Sequence, residues 1–488
     1  MSIAVRVTGG TLRGRWESGV AVFRGIPYAA PPVGPDRFAA PRPPESWDGE
    51  RPAESFGAPP PQSYVFGGGG GPSGDDWLTV NVWSPEPAPS AKLPVLVWIY
   101  GGAYTIGSSS RAEYDGGHLA RDGVVLVTFN YRLQMEGFAA IEGAPANRGL
   151  LDQVAALEWV RDNIAAFGGD PARVTIFGES AGGGSVAALL AMPRAAGLFR
   201  AAVVQSMPGP FFAPALAADI AGACAAELGR KPTAADLAEV DPLRLAAAGD
   251  AVTAVADTHV DRWGAPAYRS IVFAPVVDGD VLPATPWQAL AAGAARDVTL
   301  LAGHTRDEQR LFTAFGGPPG PVETALEMLA PGPYASSYPD AGPDQIYELV
   351  HSDWLFRMPT VHLADAHVAG GGRAYFYELT WPAPGLGGAL GACHGLDVPL
   401  VFGNLTSGQP AMLIGSPPGP EAVELSARMR AAWTAFATHG DPGWPAYTPS
   451  ERLTQIFDVD GAVTAYPEMA SYVIWRSHSF EALGLQPR

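Results

Sequence analysis

VTIFGESAGGGSVAALLAM, residues 174–192, joins a run of β-branched and aromatic residues to one rich in Ala and Leu through a glycine-flanked serine. Gly178 and Gly182 stand two residues either side of Ser180. A serine held at a sharp strand-to-helix turn has a strained backbone, and larger neighbours at those two positions would clash, so glycine fits there. The same turn aims the N-terminus of the following helix at the serine, where its amides and dipole favour developing negative charge. The bare G-x-S-x-G pattern recurs by chance in glycine-rich chains. The strand before it and the helix after it are what give it weight.

Other short apolar runs read as buried strands: Pro94–Tyr100, Val124–Asn130, Arg173–Phe177, Ala201–Gln205, Val298–Ala302 and Ala374–Leu379. Helix-period segments lie between them. In Leu151–Phe167 the residues Leu151, Val154, Ala155, Leu157, Val160 and Ile164 share one face, and Gly168-Gly169 supplies a stop. Strands alternating with helices imply a mostly parallel sheet covered on both faces. No repeat or shift of composition marks a second domain, so one domain over residues 1–488 is expected. Ala58–Gly74, with five consecutive glycines, reads as a mobile surface loop.

The 47% hydrophobic and 16% charged content suits a large buried core rather than a disordered chain. A formal net charge of -18 argues against a nucleic-acid binder, which needs clustered Lys and Arg against phosphates, and disfavours anionic membranes. The N-terminal residues lack a basic stretch followed by an apolar one, and no apolar run is long enough to span a bilayer. Two cysteines, Cys224 and Cys393, are too few for a disulfide framework and match no metal-ligand spacing. A cytoplasmic protein without metal or organic cofactor is expected.

A nucleophilic serine needs donors for an oxyanion, a base and an orienting acid. Tyr100-Gly101-Gly102-Ala103 follows the buried run VLVWI, and its small residues let amides approach an oxygen closely; the N–H groups of Gly102, Ala103 and Ala181 are the candidate donors. In α/β-hydrolases the order along the chain is nucleophile, acid, histidine. That order excludes His118 and favours His394, in the small-residue loop GALGACHG. His304 reads as a surface histidine pairing with Glu308 across one turn. The acid should follow a strand; GHTRDE after VTLLA offers Asp307 and Glu308, and chemistry does not separate them.

These residues resemble the type-B carboxylesterase family, which includes bacterial p-nitrobenzyl-type esterases and cholinesterases. The likeness runs through FRGIPYAAPPVGPDRF at Phe23, LPVLVWIYGGAYTIGSSS at Leu93, NRGLLDQVAALEWVRDNIAAFGGDPARVTIFGESAGG at Asn147, GHTRDEQRLF at Gly303 and GACHGLDVPLVFGN at Gly391. The resemblance implies an α/β-hydrolase fold with a central mixed, mostly parallel sheet. It also implies Ser180 as nucleophile, His394 as base and Glu308, not Asp307, as acid. It further suggests that Ser206 hydrogen-bonds the acid and that Glu179 lines the acyl pocket.

The chain departs from the family in places. Trp77 stands where secreted relatives carry a disulfide cysteine, in keeping with a cytoplasmic protein. Tyr100 replaces a histidine common in bacterial members. No Trp lies between Trp47 and Trp77, so the aromatic face a quaternary ammonium needs is missing there. Gln309 stands where glycine usually follows the acid. The expected activity is hydrolysis of small-molecule carboxylic esters by a monomer or small homo-oligomer. Carbamate, amide or lactone cleavage by the same triad is the alternative, and a non-catalytic binding protein the remoter one.

Overall fold

In the computed structural model, which describes residues 1–62, 74–316 and 320–487, thirteen strands join into one sheet. They are β1 (Ser2–Val7), β2 (Gly10–Glu17), β3 (Val20–Pro27), β4 (Glu50–Pro52), β5 (Thr79–Ser84), β6 (Leu93–Ile99), β7 (Val125–Phe129), β8 (Gly169–Glu179), β9 (Ala201–Gln205), β10 (Thr299–Thr305), β11 (Ala374–Leu379), β12 (Leu453–Phe457) and β13 (Val463–Ala465). Their order is β1-β2-β3-β5-β7-β6-β8-β9-β10-β11-β12-β13, with β4 beside β2. From β7 through β12 every pairing is parallel. The run from β1 to β7 is antiparallel, as is the β12–β13 hairpin. This is the mixed, mostly parallel sheet of the α/β-hydrolase fold.

The two kinds of pairing follow from burial. Strands β7, β9 and β11 are buried at every residue, as parallel strands covered on both faces must be. Strand β1 mixes exposed and buried residues and β13 is exposed throughout, so both carry polar positions and close the sheet at its edges. All six strands read from the apolar runs form, and Arg173–Phe177 extends to Gly169–Glu179. The apolar-run reading does not anticipate β1 to β5, β12 and β13.

The segment read as Leu151–Phe167 is α1 (Arg148–Asn163) plus one tight turn at Ile164–Phe167, closed by Gly168 in the left-handed region at φ 85°. Its burial differs from the expected single stripe: Ala155 is only half-buried, while Asp152 and Gln153 are buried. Asp152 goes inside because it receives three hydrogen bonds from Arg132, two from the guanidinium and one from the backbone N–H. The loop expectation at Ala58–Gly74 falls largely on residues 63–73, outside the described residues.

Helix α2 (Ala181–Ala191) leaves directly from β8, and α3 (Gln309–Gly316) follows β10. Helix α4 (Pro343–Ser352) runs through a π-turn at Asp353–Arg357 into α5 (Met358–Ala369), which leads to β11. Helix α6 (Asp397–Phe402) follows the loop that carries His394. The carboxyl ends of β6, β8, β10 and β11 therefore open on one side of the sheet, where ligands bind in open α/β sheets. No helix of the described residues is long and apolar enough to cross a membrane.

Candidate active site

Ser180 sits between β8 and α2 with φ 57° and ψ -127°, a backbone that L-residues rarely adopt. The flanking glycines are sterically required. A Cβ on Gly182 would lie 2.0 Å from the Ile99 carbonyl oxygen, and one on Gly178 would lie 2.5 Å from the Gly182 carbonyl oxygen. The Ser180 N–H donates to the Gln205 carbonyl at 3.0 Å, tying the turn to the end of β9.

After β6 the backbone turns through three successive positive φ values, Gly102 at 119°, Ala103 at 55° and Tyr104 at 59°. A Cβ on Gly101 would lie 3.0 Å from the Ser180 Cβ, so this turn packs directly against the serine. Among the described residues, the N–H groups of Gly102, Ala103 and Ala181 donate to no protein acceptor.

His394 and Glu308 meet as the sequence suggests. His394 Nδ1 is 2.5 Å from Glu308 Oε2, and the other carboxylate oxygen accepts the Thr305 N–H at 3.0 Å. Burial pushes the Glu308 carboxyl up, but the His394 ring, Ser206 and His304 overcome it and hold the group low. Ser206 is thus beside the acid, although its hydroxyl makes no hydrogen bond of normal geometry. Asp307 faces away from His394, its carboxylate accepting from the Ala392 N–H at 2.9 Å and the Arg306 guanidinium at 2.9 Å.

His304 corrects the surface reading. It is fully buried on β10, with Nε2 2.9 Å from the Tyr466 hydroxyl, and burial lowers its pKa to about 4. Its ring nitrogens meet the Thr305 carbonyl and the Tyr466 hydroxyl, not the Glu308 carboxylate.

His394 Nε2 lies 3.1 Å from Glu179 Oε1, so the imidazole stands between two carboxylates. No hydrogen bond joins it to Ser180 Oγ among the described residues. Burial works against the charged ring, but Glu179 and then Glu308 prevail and raise the His394 pKa. Burial, with repulsion from Asp397 and Glu308, raises Glu179 in turn.

Three features escape sequence reading. The Phe356 ring, on the π-turn, stacks on His394 at 4.0 Å, and Phe312 of α3 lies 5.3 Å away. Asp397, three residues after His394, is buried and accepts from Tyr377 at 2.7 Å and Gln205 at 2.9 Å. An acid one turn beyond the histidine was the available signal for Asp397. The stacking pair had none, because it depends on how three separate segments meet.

The chain matches the carboxylesterase family over residues 2–328 and 336–469. It is 39% identical over 483 residues to the para-nitrobenzyl esterase of Bacillus subtilis (strain 168), covering 94% of this chain and 95% of that relative. It is 34% identical over 487 residues to the phenmedipham hydrolase of Pseudarthrobacter oxydans, covering 94% and 95%. A solved PNB esterase structure superposes with a TM-score of 0.86 at 37% identity, over 96% of this chain and 99% of the other. With a strained serine turn, a histidine–carboxylate pair and this breadth of likeness, the chain belongs to the carboxylesterase family and is a carboxylic ester hydrolase.

Proposed function

We propose that Ser180 is the nucleophile, His394 the general base and acid, and Glu308 the acid that orients the ring, within one domain spanning residues 1–488. Ser180 Oγ attacks the ester carbonyl while His394 Nε2 takes its proton. The tetrahedral oxyanion accepts from the N–H groups of Gly102, Ala103 and Ala181. His394 then protonates the leaving alcohol, and water deacylates the serine by the same steps in reverse. The observation that carries this reading is the 2.5 Å contact of His394 Nδ1 with the buried Glu308 carboxylate. It keeps the Nδ1 proton in place, so that Nε2 is the basic nitrogen.

For the ring to serve Ser180, its Nε2 must exchange Glu179 for the serine hydroxyl, in a site whose apo hydrogen bonds are expected to be loose. We read Glu179 as a neighbour that tunes the base rather than as a wall of the acyl pocket. The partner is a small-molecule ester, handled by a monomer or small homo-oligomer. A cytoplasmic setting is supported by Cys224 and Cys393, both buried and unpaired.

The test is hydrolysis of p-nitrophenyl esters from acetate to decanoate by the wild-type protein and by Ser180→Ala. Turnover lost in the variant supports the reading. Turnover that survives means another group performs the attack. Matched phenyl esters and phenyl carbamates, run alongside, rank the two bond types.

A further inference from the structure

Gln205 ends β9 and is fully buried. In register it stands beside Glu179 on β8 and Gly303 on β10, between the strand that delivers Ser180 and the strand that leads to Glu308. Its carbonyl accepts the Ser180 N–H at 3.0 Å. Helix α2 crowds the same oxygen, since a Cβ on Gly183 would lie 2.6 Å from it.

The side chain reaches the other half of the site. Nε2 donates to Asp397 Oδ2 at 2.9 Å, and Oε1 accepts at 3.2 Å from the indole N–H of Trp433, on helix α7 (Pro420–His439). An indole N–H can only donate, so the amide oxygen must face Trp433 and the NH2 must face Asp397. A glutamate here would set oxygen against oxygen at Asp397, and a lysine would leave the indole without an acceptor.

His394 depends on such an anchor because its own loop offers little. Between Leu379 and Asp397 the chain forms no strand or α-helix, and Gly387, Gly388, Gly391 and Gly395 all have positive φ. Ahead of the histidine the loop is held at Ala392, whose N–H donates to the Asp307 carboxylate at 2.9 Å and whose carbonyl accepts the Asp307 N–H at 2.9 Å. Behind it the loop is held at Asp397, whose Oδ2 accepts from Gln205 and, at 2.7 Å, from the Tyr377 hydroxyl. Tight turns tie that anchor to the ring: the Leu396 N–H donates to the Cys393 carbonyl at 3.2 Å and the Val398 N–H to the Gly395 carbonyl at 3.3 Å. Gln205 thus holds the serine turn by its backbone and the histidine loop by its side chain.

We propose that Gln205 is a positioning residue for ester hydrolysis, which through Asp397 fixes the His394 loop against the Ser180 turn so that Nε2 and Oγ come within reach for proton transfer. The inference rests on the reading of Ser180 and His394 as nucleophile and base. Gln205 acts through other groups, and its effect falls on the chemical steps rather than on substrate binding. A misplacement of reacting groups by about 1 Å can cost about a hundredfold in rate.

The test is kcat and KM for p-nitrophenyl butyrate, with urea midpoints alongside, for the wild type, Gln205→Leu, Gln205→Glu and the double exchange Gln205→Glu/Asp397→Asn. Leucine removes the donor at similar volume, and kcat is expected to fall roughly tenfold to a hundredfold with KM kept within about twofold. Gln205→Glu sets carboxylate against carboxylate and should lose at least as much. The double exchange reverses donor and acceptor at unchanged net charge, and its kcat should exceed that of Gln205→Glu by about tenfold or more. A role in stability alone would move the urea midpoints and leave kcat of the folded protein in place. Wild-type kcat in Gln205→Leu, a loss carried by KM alone, or a double exchange no faster than Gln205→Glu overturns the proposal. If Gln205→Glu does not fold, the Gln205→Leu kinetics decide. Ser180→Ala separates the two readings: if it is inactive while Gln205→Leu matches the wild type, only the positioning role fails, and if it stays active, both fall.

Discussion

Replacing Glu179 by Gln should move the acid limb of the activity profile to lower pH. His394 must be neutral at Nε2 to take the serine proton, so kcat/KM falls as pH drops through its pKa. Glu179 Oε1, 3.1 Å away, exerts the largest single attraction that raises that pKa against burial, ahead of Glu308 and Asp397. Two full charges at this separation interact by about 5 kcal/mol at an effective dielectric constant near 20. Glu179 is itself raised by burial, which weakens its negative charge near neutral pH, so only part of that energy is realised. A downward shift of about 1 to 2 pH units is expected, at about 1.4 kcal/mol per unit. The assay is kcat/KM for a p-nitrophenyl ester from pH 5 to 10, wild type against Glu179→Gln. An acid limb that stays put, or moves up, would refute the argument that Glu179 sets the basicity of His394.

Gly182→Ala should cost both activity and about 1–3 kcal/mol of stability, because its Cβ would press on the Ile99 carbonyl at 2.0 Å and nothing there is a flexible side chain; an unchanged urea midpoint would contradict this. Glu378→Gln should stabilise the protein increasingly as pH rises. Both Glu378 carboxylate oxygens are buried without partners, and burial, then Glu468, raises its pKa far above the ordinary value of 4.5. The folded state therefore keeps a proton that the unfolded chain releases, and stability falls as pH climbs above the unfolded value. Gln removes that slope, so melting curves from pH 5 to 9 should diverge; parallel curves would mean Glu378 is not protonated in the fold.

The parallel half of the sheet was legible because strands covered on both faces must be apolar throughout, and β7, β9 and β11 are. The antiparallel half was not. Strands such as β2, GTLRGRWE, interleave arginines with buried residues, and their polar faces hide them from a search for apolar runs. The serine turn was readable for a local reason, since its glycines answer to atoms within a few residues or on the adjacent strand. The acid needed more: Asp307 and Glu308 are neighbours of equal chemistry, and only the direction each side chain takes separates them. The contacts of Glu179 and of Phe356 with His394 join residues 215 and 38 positions apart. Whether a buried charge finds a partner is a property of the fold and has no signature along the chain. The same holds for His304, whose polar neighbours suggested a surface position until Tyr466 and the sheet closed over it.

The most direct test of the central claim is covalent labelling with an organophosphonate, followed by intact mass and peptide mapping. One adduct per chain is expected, on Ser180, formed in step with the loss of esterase activity. An adduct on another residue, or full inactivation with Ser180 unmodified, would contradict it.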